Sequence, residues 1–384
     1  ATGHSSTGGF DDAVLIRTRE LASVDVDPAR KVATIGPGTH WGAVQEAAAK
    51  HGLTGLVGTA PHVSAVGFTM GGGVSWLGRT HGLASGRLRA AELVLADGSR
   101  TRVDETSDPD LLWALRGGGG NFGIVVGMEL DLVDAPELFA GVVMFPIERT
   151  RELLGAWHEW TASVSEAVTS MLTVLRLPPA PFIPEEFRGK ELVVIGACHA
   201  DGTDGAADLE PIRGLDPFMD TFGPMPPTGL GALHNDPVDP LPDLGGAAML
   251  KGLDDEALDI LAAHTGPESG SPLLFTELRH AGGAMGRAAA GEGATDHLDG
   301  DYLLHGLGVP LGPPAEVLRG AIDRLRADLS RWTTPGLPLN FVHERDEVAS
   351  AFAPETLERL ITVKSRVDPD RRITSSHPLG PAAG

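Results

Sequence analysis

The sequence predicts an α+β protein, and three observations lead to that class. Residues 1 to 135 alternate short β-rich runs with short helical stretches, residues 140 to 332 carry longer strand-like runs between amphipathic helices, and 51 glycines and 29 prolines break 384 residues into many turns. The length suits two compact units or one large one, and 42% hydrophobic with 21% charged residues is an ordinary globular balance that excludes disordered and collagenous chains.

In the first half, Val14 to Ile16 and Val32 to Ile35 read as strands. A helix is predicted from Trp41 to Lys50, with Thr39 as its cap and Gly52 after its end. Glu92 to Leu95 and Thr101 to Val103 flank Asp97-Gly98, a hairpin signal. Asp108-Pro109 has the cap and first-position chemistry of a helix that runs to Leu115 and stops at Gly117 to Gly120, with a strand from Ile124 to Leu132 beyond.

In the second half, strands are predicted at Val142 to Phe145, Met171 to Leu175, Glu191 to Cys198, Leu273 to Leu278 and Tyr302 to Leu307. Leu153, Leu154, Trp157 and Trp160 share one helical face, as do Val317, Leu318, Ile322, Leu325 and Leu329, so two helices should cover a sheet. Seven prolines between residues 217 and 246 argue against any regular element there and for a long loop, either a lid or a disordered segment. A last helix spans Pro354 to Val367 and stops at Asp368-Pro369.

Charge and composition narrow the function classes. Thirty Lys and Arg against 52 Asp and Glu give a net charge of −22, which repels phosphate backbones and anionic lipid, so neither nucleic acid nor a membrane is an expected partner. The lone Cys198 excludes an internal disulfide and a cysteine-based zinc site, and no metal is expected; it is compatible with a reducing compartment, and a cytoplasmic location is the reading. No run of 18 apolar residues occurs. The chain opens at Ala1 with neither Met nor a signal-like apolar region, which reads as a chain whose start is missing. A serine hydrolase lacks its G-x-S-x-G elbow, and a metalloenzyme is disfavoured because no H-E-x-x-H or comparable ligand spacing appears.

Glycine clusters carry the rest: Thr2-Gly3-His4-Ser5, Met70-Gly71-Gly72-Gly73-Val74, and Arg116-Gly117-Gly118-Gly119-Gly120-Asn121-Phe122-Gly123. The G-x-G-x-x-G from Gly118 to Gly123 follows a helix and opens an apolar run, the reverse of the Rossmann context. Glycine runs without a helix still offer positive φ and close approach of main chain to ligand, and successive N–H groups can form an anion-binding nest. Arg79, Arg87, Arg89, Arg100 and Arg102 against Glu92 and Asp97 leave a local excess of three positive charges in keeping with a pyrophosphate.

Taken in order, Thr2-Gly3-His4-Ser5, Gly58-Thr59-Ala60-Pro61, Val66-Gly67-Phe68-Thr69-Met70-Gly71-Gly72-Gly73, Trp76-Leu77-Gly78-Arg79, His81-Gly82-Leu83 and the segment from Asp108 to Gly123 resemble the FAD-binding domain of the vanillyl-alcohol oxidase superfamily (PCMH-type), in its berberine-bridge-enzyme-like branch. Leu339-Asn340-Phe341 and Leu360-Ile361-Thr362-Val363-Lys364 match its C-terminal signature. The resemblance implies an FAD-binding domain over 1–135, a substrate domain with an antiparallel sheet covered by helices over 136–332, and a segment 333–384 returning to the first domain. It implies a flavin bonded covalently to His4, with Gly58, Thr59, Ala60, Pro61, Val66, Gly67, Gly71, Gly72, Gly73, Gly118, Gly119, Asn121, Gly123, Ile124, Val125 and Asn340 around it.

The family's activity would be hydride transfer from a small alcohol, sugar, alkaloid or polyketide-like substrate to flavin N5, with O2 or another acceptor taking the electrons. Two departures stand out. The family's βαβ subdomain is absent ahead of His4, so a degenerate or fragmentary flavin fold without catalysis is the alternative, and Pro338 replaces a tyrosine common in relatives. Acid-base candidates must then come from the second half, and Glu277, His280 and His305 are taken as catalytic. Alternation puts Thr276, Leu278 and His280 on one face of their strand, and Phe275, Glu277 and Arg279 on the other.

Overall fold

The computed structural model describes residues 6–11, 13–180, 183, 185–239, 241–288 and 293–380. The first half builds a five-stranded sheet from β1 (Val24–Asp27), β2 (Val32–Ile35), β3 (Leu88–Val94), β4 (Arg100–Val103) and β5 (Ile124–Asp131), in the order β1-β2-β5-β3-β4, with every pair antiparallel. The Asp97-Gly98 hairpin forms as expected: Val94 pairs with Arg100, and Gly98 takes φ +86°. Around this sheet lie α1 (Trp41–Ala49), α2 (Ala65–Met70), α3 (Gly78–His81) and α4 (Pro109–Leu115). Asp108 caps α4 by accepting from the Leu111 N–H at 3.0 Å.

The second half forms a nine-stranded antiparallel sheet. Its strands are β6 (Leu138–Pro146), β7 (Val168–Arg176), β8 (Glu191–His199), β9 (Met219–Asp220), β10 (Gly223–Met225), β11 (Leu244–Leu250), β12 (Phe275–His280), β13 (Tyr302–Gly308) and β14 (Thr333–Thr334). The order is β9-β6-β8-β7-β12-β13-β11-β14, with β10 also on β6. One face is covered by α5 (Thr150–Thr161), α6 (Asp255–Thr265) and α7 (Ala315–Asp328), whose Leu153, Leu154, Trp157, Leu258, Leu261 and Leu325 pack with Val143, Phe145, Leu172, Val193, Leu278 and Leu304. The other face turns to the first half, so Met171, Ala140 and Cys198 join the core beneath the first sheet. The last helix, α8 (Pro354–Val367), returns to α4, where Arg366 pairs both carboxylate oxygens of Asp108 at 2.8 and 2.9 Å.

Four expectations are corrected. Val14 to Ile16 is not a strand: Val14 and Leu15 are 90% and 79% exposed and pair with nothing in a sheet, so β propensity had no partner to act on. Thr39 does not cap α1, because its hydroxyl is spent on the Ser23 carbonyl at 2.8 Å, and His40 takes the cap position instead. Val317 is 45% exposed, one position off the buried stripe of Leu318, Ile322 and Leu325. The proline-rich stretch 217–246 holds β9, β10, the start of β11 and a short helix at Gly231–His234. Pro224 is tolerated because β10 pairs on one side only. That stretch is also docked, since Gln45 on α1 donates to the Pro227 carbonyl at 3.1 Å.

Candidate functional site

Three glycine-bearing loops meet beneath the second sheet. Ser64 caps α2 by accepting from the Gly67 N–H at 3.2 Å, and the helix delivers the chain to Gly71, Gly72 and Gly73. Phe68 on α2 touches two loops at once: a Cβ on Gly58 would fall 2.6 Å from its ring, and one on Gly73 2.9 Å away. The loop after α4 joins through main chain, with the Gly119 N–H on the Met70 carbonyl at 3.0 Å. The Ser75 hydroxyl donates to the Val57 carbonyl at 2.7 Å and ties down the approach to residues 58–61.

The expected cofactor residues Gly58, Thr59, Ala60, Pro61, Val66, Gly67, Gly71, Gly72, Gly73, Gly118, Gly119 and Asn121 are thus gathered in one region. Gly123, Ile124 and Val125 lead out of it: Ile124 and Val125 pair with Val94 and Leu93, and the Val125 side chain enters the core. Asn121 organises the loop instead of reaching outward, donating to the Gly118 and His377 carbonyls at 3.0 and 2.9 Å. His4 lies outside the described residues; Thr7, a little further on, donates its N–H to Ser376 at 3.0 Å, beside the His377 that holds Asn121.

Backbone conformation explains why these loops are glycine. Gly72 and Gly117 have φ of +112° and +100°, which side chains rarely adopt. A Cβ on Gly117 would also lie 2.5 Å from the Thr295 Cβ. Gly117→Ala is therefore expected to lose about 1–2 kcal/mol from the backbone alone, with more from the clash. Urea unfolding measures it, and an unchanged midpoint would contradict this account of the loop.

The returning segment closes the region. Pro338 sits over Gly72, whose Cβ would come 2.9 Å from the proline Cβ. The Asn340 N–H donates to the Gly71 carbonyl at 3.1 Å, and its Oδ1 accepts from the Gly73 N–H at 2.7 Å. The next residue, Phe341, packs edge-on to His305 at 5.4 Å and lies under the Arg279 guanidinium at 5.1 Å. Residues 338–341 therefore touch the glycine loops and the second sheet together.

On that sheet face, Thr173, Glu277 and His305 stand in one cross-strand row. Glu277 is wholly buried; it accepts from Thr173 Oγ1 at 3.1 Å, from His234 at 2.8 Å and from Arg279 Nε. His234 also pairs with Asp236 at 2.7 Å, and the Thr59 hydroxyl lies on the Asp236 side, where it helps to lower the carboxyl pKa. A charged chain thus runs from the 58–61 loop into the sheet. Burial alone would push His234 down, but the Glu277 charge and the Asp236 hydrogen bond outweigh it and raise its pKa to about 10. Burial would raise both carboxyl groups; Arg279 and His234 instead hold Glu277 well below the usual carboxylate range, and the His234 hydrogen bond and charge bring Asp236 to about 2.

His305 lies against Phe275, Phe341 and His343, with ring centroids 5.3, 5.4 and 5.3 Å away, and its Nε2 is 3.2 Å from that of His343. His280 is separated from this group. It faces the helices on the opposite side, against Trp157 and Tyr302 at 6.4 and 6.1 Å, where burial and then Arg79 lower its pKa to about 3. Of the three expected acid-base residues, Glu277 and His305 are brought together and His280 is not.

The arginine cluster does not line the loops. Arg79 donates to the Val168 and Ala281 carbonyls and Arg87 to the His81 carbonyl, while Arg89, Arg100 and Arg102 pair with Asp131, Glu92 and Glu129. What faces the convergence is main chain and hydroxyl. The Thr69 hydroxyl, fully buried just ahead of Gly71, has no hydrogen-bond partner among the described residues. Amide donors on glycine loops fit a dinucleotide held through its pyrophosphate without cations. Sequence reasoning missed His234 and Asp236, whose signal was a pair of titratable residues inside a stretch dominated by prolines. Among the described residues no cluster of histidine, cysteine and carboxylate groups suits a metal, and no helix is long and apolar enough to cross a membrane.

Residues 1–104 match the FAD binding domain family. The chain is 32% identical over 224 residues to the (R)-6-hydroxynicotine oxidase of Paenarthrobacter nicotinovorans, a match covering 56% of this chain and 46% of that protein. It is 40% identical over 148 residues to an FAD-dependent monooxygenase of Fusarium proliferatum, covering 38% of this chain and 29% of the relative. These matches span less than half the length of those curated relatives. Among solved structures, 6-hydroxy-D-nicotine oxidase from Arthrobacter nicotinovorans superposes with a TM-score of 0.82 at 25% identity, covering 96% of this chain and 83% of that one. A berberine bridge enzyme variant shares the fold, with a TM-score of 0.78 at 18% identity over 97% of this chain and 81% of that one. With the glycine loops converged and the returning segment docked on them, residues 1–104 carry an FAD binding domain and the chain is similar in sequence and fold to FAD-linked oxidases.

Proposed function

We propose that this protein is an FAD-dependent oxidoreductase of the berberine-bridge-like branch, acting on a small organic substrate placed between the glycine loops and the Glu277–His305 face. The observation that carries this reading is the 338–341 segment, which fixes Asn340 on Gly73 and Phe341 on His305 and so sets cradle and sheet face at a constant separation. Relatives include the (R)-6-hydroxynicotine oxidase and a xylooligosaccharide oxidase of Thermothelomyces thermophilus, which supports an alcohol, amine or sugar as the class to screen first.

When bound, the flavin supplies the acceptor for a substrate hydride and the route onward to O2 or another electron acceptor. The chain does the rest. Gly58 to Pro61, Gly71 to Gly73 and the 117–121 loop would hold the dinucleotide through main-chain amides, and His4 is the residue proposed to tether it. His305 would take the substrate proton, because Glu277 already answers two cations and is a weak base. Glu277 instead orients: it fixes Arg279, His234 and Thr173 around the row.

The test is acid precipitation of protein produced with FAD. Yellow colour is expected to stay in the pellet of the parent and to move to the supernatant in His4→Ala, with the parent melting higher than flavin-free protein by the linkage of a tight ligand. A chain that takes up no flavin and shows no thermal shift on adding FAD overturns the proposal in favour of a flavin fold without catalysis.

A further inference from the structure

Arg279 stands out on the substrate-facing side of β12. Its Nε is engaged by Glu277, and its guanidinium lies over the Phe341 ring at 5.1 Å, so the plane of the group is fixed at two points. The side chain is 12% exposed. Its two terminal nitrogens make no hydrogen bond to a described residue, yet neither is among the sealed, unpaired polar atoms, so they open onto accessible space. A guanidinium has five N–H donors, and here one is used. A fixed, mostly buried cation with its end-on edge uncommitted is built to receive two oxygens at once.

The surroundings define what bears those oxygens. Phe275, His305, Phe341 and His343 form a wall of flat rings, each of the other three within 5.4 Å of His305. Arg279, His234, Glu277 and Asp236 balance as two cations against two carboxylates, and Asp236 is drawn away to Thr59 and His234. Among the described residues Glu277 is the one carboxylate within ion-pair distance of Arg279, and it sits on Nε; Asp236 feels the Arg279 charge from farther off but is held by His234, so the Nη edge is left to an incoming anion.

Resting on the proposed function, we propose that Arg279 is a specificity-determining residue and that the substrate is an aromatic carboxylic acid, its carboxylate bidentate on the Arg279 Nη edge and its ring against the His305–Phe341 wall. Oxidation would then fall on a substituent of the ring, with the acid group as the handle that sets its position.

The probes are benzoate and its neutral isostere benzamide, titrated into the flavin-loaded chain by calorimetry and by the shift in flavin absorbance. Benzoate is expected to bind at least tenfold more tightly than benzamide. Arg279→Met should weaken benzoate at least tenfold and leave benzamide within twofold, while Arg279→Lys, which keeps the charge and the pairing to Glu277 but loses the planar fork, should fall between. Arg279→Lys also serves where the methionine variant does not fold. Equal affinities for the two probes in the parent, or benzoate affinity indifferent to both variants, overturns the proposal. A chain that holds no flavin yet binds benzoate through Arg279 in calorimetry supports this inference and defeats the proposed function. A chain that holds flavin but binds neither probe does the reverse.

Discussion

Lys364→Met is expected to cost about 3–5 kcal/mol, the range for breaking a buried ion pair from one side. Lys364 on α8 is buried with Asp368, to which it donates, and its ammonium also donates to the Asn121 and Ile373 carbonyls at 2.7 and 2.9 Å. Burial lowers its pKa although Asp368 opposes the shift, which marks a charge that exists here only because its partners are assembled. Methionine keeps the stem and removes every donor. Asp368 would retain only the Arg372 and Ile373 N–H groups at 2.8 and 2.9 Å. For a chain of this length melting as one unit the loss corresponds to about 4–6 °C, and adding Asp368→Asn should recover part of it by removing the stranded charge. The Asn121 carbonyl is released in the same step, so flavin affinity should drop as well. A single variant melting within about 1 °C of the parent would show that the pair is not the clamp described.

The second large effect concerns Glu277. Glu277→Gln removes the one charge that Arg279 and His234 share at a fully buried position, and about 3–5 kcal/mol is again expected because the two cations remain. The proton on His234 supplies a pH signature. Its folded pKa, about 10, is above the ordinary 6.5, so the stability it contributes is fully present below pH 6.5 and is lost as the pH rises to about 10. Asp236, depressed to about 2 from 3.8, works in the other direction, contributing above pH 3.8 and failing as the pH falls toward 2. The parent should therefore lose thermal stability steadily between pH 7 and 10, and Glu277→Gln and His234→Gln should each flatten that slope. Melting curves across that range decide it, and parallel slopes in parent and variants would mean His234 is neutral in the folded chain.

How much of this could be read from sequence depends on whether the signal is local. The Asp97-Gly98 hairpin and the Asp108-Pro109 helix start are chemistry of adjacent residues, and both formed. Alternation along β12 separated Glu277 from His280, and the structure keeps them on opposite faces. Val14 to Ile16 misled because strand propensity says nothing about a partner. Prolines in 217–246 were read as breakers, whereas an edge strand needs only half its N–H groups, and β11, written Leu-Gly-Gly-Ala-Ala-Met-Leu, has too little β-branched character to announce itself. The His234–Glu277 link and the Lys364–Asn121 link join positions 43 and 243 residues apart, and no window of sequence contains both partners. The five arginines of 79–102 showed the opposite fault: a local charge excess that tertiary pairing consumes.

The docking of residues 338–379 on loops formed by residues 70–121 has a consequence for biosynthesis. Gly73, Asn121 and the Asn121 carbonyl acquire their final partners only when residues near the end of the chain have been made. Contacts of such long sequence separation close slowly. Until residues 338–379 have been made and docked, a growing chain keeps its glycine loops without these partners, and that waiting state exposes apolar surface that a chaperone would have to shield.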